Sequence, residues 1–145
     1  MIKKLTNVTL NHNKIEIDGI DSLVRVEGVW LEAALLFDER YILLFLTDDC
    51  PFEETLFIYL MDTQQNCIVD KARIFQIYSP GIFTDLIIHS ENTISFEFMA
   101  EGGWTLELFK TPKKSIRHLF SSTLSLVVKR PFSLSRYFNV TMNTQ

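Results

Sequence analysis

At 145 residues and 47% hydrophobic composition, the chain has the size of one domain and is too apolar to be disordered. Its net charge of −4 hides an uneven distribution: the stretch up to Leu108 holds all eighteen acids and seven bases, and the stretch from Phe109 onward holds seven bases and no acid. The two parts carry −11 and +7, which bears on partners and steering and suggests an acidic face and a basic face if the fold keeps them apart.

Period-two alternation dominates the chain and predicts half-buried strands. Lys14 to Asp18 alternates cleanly and stops at Gly19, and Leu23 to Glu27 repeats the pattern before Gly28. Leu31 to Phe37 (LEAALLF) is Ala/Leu-rich and is a short helix candidate, as is Ser115 to Phe120. Arg40 to Thr47 and Thr55 to Asp62 are nearly continuous apolar runs, the pattern of strands covered on both faces or central to a sandwich. Cys67 to Tyr78, Leu86 to His89 and Thr93 to Phe98 are further strands. The Gly102-Gly103 turn predicts a hairpin into Trp104 to Leu108. Leu124 to Val128 and Arg136 to Thr141 complete the set. Turn signals every 8–12 residues or so, with no long helical pattern, predict a mainly β, single-domain (1–145) antiparallel β-sandwich or barrel with one or two short helices.

Catalytic motifs are missing. No nucleophile elbow, P-loop or dinucleotide fingerprint occurs, and His12, His89 and His118 share no metal-ligand spacing with each other or a cysteine. Acidic neighbours Asp48 and Asp49 disfavour a Cys50 thiolate. Carboxylates are numerous enough for a glycosidase-like couple, but solvated loop acids account for them. The expectation is a non-enzyme with no cofactor and no metal. Met1-Ile2-Lys3-Lys4 leads into Thr6, Asn7, Thr9 and Asn11 instead of an apolar segment, and the longest apolar run, Tyr41 to Leu46, is strand-sized. A cytoplasmic location with both cysteines reduced is therefore expected, Cys67 buried and Cys50 in a turn. Trp30 and Trp104 are expected to pack in the core or at a sheet edge.

Two charged regions are candidate sites. Asp48, Asp49, Glu53 and Glu54 crowd into seven residues, with Asp38, Glu39 and Asp62 at the outer ends of the flanking strands. Arg40 is the sole base from Asp38 to Asp62, leaving that segment at −6. A hairpin would gather these carboxylates at one end of the sheet, where they would repel nucleic acid and attract a cationic protein, with Phe52 as an apolar anchor. The competing reading is a plain polar turn; a calcium loop is disfavoured by the absent EF-hand spacing and central Gly. In the basic C-terminal third, Lys129, Arg130 and Arg136 interleave with Phe132, Tyr137 and Phe138, a pattern that can bind single-stranded nucleic acid. The simpler alternative is that these bases pair internally with acidic neighbours.

Trp30 to Asp62 (WLEAALLFDERYILLFLTDDCPFEETLFIYLMD), followed by Gly102 to Leu108 (GGWTLEL), resembles the immunity proteins of bacterial contact-dependent inhibition and Rhs-type polymorphic toxin systems. The resemblance covers about half the chain and carries no chemical motif. It implies a cytoplasmic protein that binds one cognate toxin domain and blocks it. The leading expectation is stoichiometric inhibition of a toxin, expected to be a basic nuclease, with Asp48, Asp49, Phe52, Glu53 and Glu54 as the partner-binding residues, and with neither membrane nor nucleic acid as partner. The alternatives are a β-barrel carrier of a small apolar ligand and a single-stranded nucleic-acid-binding β domain.

Overall fold

A computed structural model describes residues 1–50, 53–76, 80–99, 102–114 and 127–143. Chain order gives β1 (Ile2–Lys4), β2 (Val8–Asn11), β3 (Lys14–Ile17), β4 (Ile20–Arg25) and β5 (Trp30–Phe37). The apolar hairpin follows as β6 (Tyr41–Thr47) and β7 (Leu56–Asp62), then β8 (Cys67–Ile74), β9 (Thr84–Ile88) and β10 (Thr93–Glu97). The last three are β11 (Trp104–Lys113), β12 (Val128–Lys129) and β13 (Arg136–Met142).

Among the described residues all strand pairs are antiparallel and form three sheets. A six-stranded sheet runs β1-β5-β6-β7-β8-β12, a four-stranded sheet β13-β11-β10-β9, and a three-stranded meander β2-β3-β4. The six-stranded sheet is the middle layer. One face meets the four-stranded sheet through Leu43, Phe45, Ile58 and Leu60 against Ile94, Phe96, Leu106 and Phe138. The other meets the meander through Leu44, Leu46, Tyr59 and Met61 against Val8, Ile15, Val24 and Val26. Strands buried on both faces need apolar residues at every position, which is why β6 and β7 are continuous apolar runs. The Phe45, Phe83 and Phe96 rings, 4.9–5.4 Å apart, fill the space between the two larger sheets. The result is a layered sandwich with open sheets.

The helix expected at Leu31 to Phe37 is strand β5, paired with β1 on one side and β6 on the other. Its Leu35 and Phe37 enter one core and Ala34 and Leu36 the other. Two ladders and two packed faces outweigh the local helix preference of Ala and Leu. The second helix candidate, Ser115 to Phe120, lies outside the described residues, as does most of the strand expected at Leu124 to Val128. The Gly-Gly hairpin forms as expected, with Phe96 opposite Trp104. A side chain on Gly103 (φ +76°) would come within 2.7 Å of the Phe96 carbonyl oxygen. Cys67 is half-buried instead of buried, and Cys50 is exposed.

Candidate functional site: an acidic sheet end beside an exposed tryptophan

Tyr41 pairs with Asp62 and Thr47 with Leu56, so the β6–β7 hairpin divides the seven acids between opposite ends of the sheet. Asp48, Asp49, Glu53 and Glu54 follow Thr47 at one end; Asp38, Glu39 and Asp62 lie at the other. The expectation that one end gathers them all is therefore corrected by the register. Asp62 is also unavailable to a partner. It is 2% exposed and held by Arg40 through Nε–H to Oδ1 (3.1 Å) and Nη2–H to Oδ2 (2.7 Å). That guanidinium is the main reason its carboxyl lies below the ordinary aspartate value.

The four loop acids have different roles. The Asp48 N–H donates to Glu54 Oε1 (2.7 Å), and Asp48 Oδ1 accepts the Thr55 N–H (3.1 Å). This reciprocal clip closes the loop across the two strand ends. Burial, and then the hydrogen bond between the two side chains, pushes the Glu54 carboxyl up. The Glu53 N–H donates to the Cys50 carbonyl (3.1 Å), and Asp49 takes a left-handed conformation (φ 55°) with its side chain exposed. Asp48 and Glu54 thus hold the loop, while Asp49 and Glu53 are free of that clip. Phe52, the expected anchor, lies outside the described residues.

An apolar anchor stands on the neighbouring strand instead. Trp30 is 57% exposed and pairs with Thr47, the residue immediately before the acidic loop; Val29 beside it is 54% exposed. The two tryptophans have opposite fates. Trp104 is 1% exposed, its Nε1–H donating to the Phe98 carbonyl (2.7 Å), whereas Trp30 takes the sheet-edge alternative, at the start of β5 beyond the residues that β1 pairs. Gly28 makes this placement possible. At φ +107°, a Cβ on it would sit 2.8 Å from Leu46 Cβ, so the chain passes hard against β6 before the Val29 N–H reaches the Thr47 carbonyl (2.7 Å). Thr47 Oγ1 in turn donates to Glu32 Oε1 (3.2 Å), bringing a further carboxylate to this end.

Two of the seven bases of the C-terminal third, Arg130 and Arg136, are consumed inside the protein. Arg136 Nη1–H donates to Asp70 Oδ1 (3.0 Å), and Arg130 Nη2 stands 2.7 Å from Asp70 Oδ2, all three side chains buried. The Tyr137 N–H also donates to Asp70 Oδ2 (2.8 Å). Arg130 donates to the carbonyls of Lys71 (3.2 Å) and Phe138 (2.9 Å), its guanidinium lying 4.3 Å over the Phe138 ring. Burial lowers the Arg130 pKa, and Asp70 opposes that shift. Of the interleaved residues, Arg130, Arg136 and Phe138 are buried, so they form no stacking surface for nucleic acid. Among the described residues, no cluster of three or more His, Cys, Asp or Glu is placed to hold a metal ion. No helix among them is long and apolar enough to cross a membrane.

No protein-family model, curated protein or solved structure matches this chain.

Proposed function

We propose that this chain is an immunity protein of the polymorphic-toxin type, which binds a cognate cytotoxic domain and neutralises it by stoichiometric occupation. The observation that carries this reading is the exposed Trp30 standing beside an acidic loop at one end of the central sheet. Large exposed aromatics ringed by polar groups are the usual energetic centre of a protein interface. Carboxylates around such an anchor select a cationic partner and speed its encounter. A basic nuclease domain fits, because its active site is already built to receive phosphates. Asp49 and Glu53 take the place of those phosphates, Asp48 and Glu54 keep the loop in shape, and Trp30 supplies the apolar contact, with Phe52 of the same loop as a second anchor.

The carrier alternative has less support, since the space between the sheets is filled by aromatic rings and the sheets are open. The test is a tagged pull-down from cells co-expressing the neighbouring open reading frames. Capture of one basic protein at one-to-one ratio, with rescue of cells from its toxicity, is the expected outcome. Absence of any stoichiometric partner, or a partner whose toxicity is unaffected, contradicts the reading.

A further inference from the structure

The meander covers the outer face of the middle sheet over β5, β6 and β7 and reaches Ile68 at the start of β8. Beyond it, a cleft of about 690 Å³ opens between the end of β4 and the segment at Pro131 to Ser133. A second cleft of about 360 Å³ continues it along β7, β8 and β12, the two sharing Glu27, Tyr59, Lys71 and Pro131. Although the chain carries −4, this continuous cleft is lined by six bases and two acids.

The two acids leave the lining in positive excess. Asp70 is divided between Arg130 and Arg136, so the buried triad keeps one positive charge in excess. Beneath the cleft wall, Arg136 Nε is buried with no hydrogen-bond acceptor, although the side chain's other two nitrogens are satisfied by Asp70 and the Pro131 carbonyl (2.6 Å). Glu27 is exposed at the rim, its N–H donating to the Tyr59 hydroxyl (3.0 Å). Arg25, which also lines the cleft, is paired with Asp21 (3.0 Å). On the sheet face itself, Lys129 lies directly opposite Arg73 in the β12–β8 register, and Lys71 follows two residues along. Like charges opposed across a ladder cost stability, and the same face offers no carboxylate in salt-bridge contact with these three among the described residues. Their exposed ammonium and guanidinium groups stand over a buried positive excess that water screens poorly. An anion placed between them relieves both.

We propose that this cleft binds a small ligand bearing an oxyanion, phosphate or carboxylate, with Lys71 at its centre and Arg73 and Lys129 on its flank. The site is separate from the acidic end and does not rest on the function proposed above.

Calorimetric titration of the whole chain with inorganic pyrophosphate and, in parallel, with succinate at matched ionic strength tests it. Saturable one-to-one binding of either anion is expected, the stronger of the two identifying phosphate or carboxylate chemistry. The Lys71→Ala/Lys129→Ala variant changes two exposed side chains and removes the Lys129–Arg73 opposition, so its affinity is expected to fall at least tenfold while the unfolding midpoint does not fall. The native chain's unfolding midpoint should also rise with pyrophosphate concentration, a readout that needs no substitution. No saturable heat with either anion, equal affinity in the variant, or a midpoint that moves as much with sodium chloride of the same ionic strength would each overturn the proposal.

Discussion

Asp70 ties the C-terminal segment to β8. It meets Arg130, Arg136 and the Tyr137 N–H from inside the protein. Removing one partner of such a group leaves the others as uncompensated buried charge, so Asp70→Asn is expected to cost about 3–5 kcal/mol, measured by urea unfolding. Replacing Asp70, Arg130 and Arg136 together by apolar residues of similar volume should cost far less, because the desolvation of all three charges disappears with them. Asp62 and Glu54 predict opposite pH responses. Asp62 is depressed below its ordinary 3.8 by Arg40, so its stabilising contribution is complete above that pH and is lost as pH falls through the depressed folded value. Glu54 is raised above 4.5 by burial, so the folded state holds its proton more tightly and stability declines as pH rises from 4.5 through the raised folded value. Unfolding curves collected across this range should lose the first slope in Asp62→Asn and the second in Glu54→Gln.

At the scale of elements, the sequence exposes some strands fully and misleads on others. β6 and β7 were legible because strand-length continuous apolar runs fit a strand covered on both faces or central to a sandwich, and both are covered on both faces. The Gly102-Gly103 hairpin was legible because its turn chemistry is local. β5 was not, since its Ala and Leu residues favour a helix in isolation, and only its partners β1 and β6 make it a strand. β1 and β2 are three and four residues long and rich in Lys, Thr and Asn, so nothing in them announces a strand. The site shows the same division. The acidic loop could be located by composition, but its internal clip and its separation from Asp62 depend on register, and Trp30 becomes an anchor only through the passage of Gly28 over β6. That passage yields a test. Gly28→Ala must relieve both φ +107° and a 2.8 Å approach to Leu46 Cβ. It is expected to cost about 1–3 kcal/mol in thermal or urea unfolding, and to weaken partner binding by shifting Trp30.

Across the described residues, part of the lengthwise charge division is folded away. Two of the seven C-terminal bases fold inward onto Asp70, and Lys129 joins Arg73 and Lys71 from the acidic part of the chain. What remains is a concentrated acidic end with an aromatic anchor and a separate basic cleft. The first of these is the proposed partner surface, and interfaces of this design divide their labour. Exposed charge sets the encounter rate, while a desolvated aromatic sets the residence time.

The most direct measurement is therefore the association and dissociation kinetics of the captured basic partner at low and high salt, for the native chain, Asp49→Lys/Glu53→Lys and Trp30→Ala. These substitutions leave the Asp48–Glu54 clip in place. The account predicts association at least tenfold slower at low salt for the charge reversal, a gap that closes as salt rises, and faster dissociation for Trp30→Ala worth about 2 kcal/mol or more. Native kinetics in both variants, with the fold intact, would contradict it.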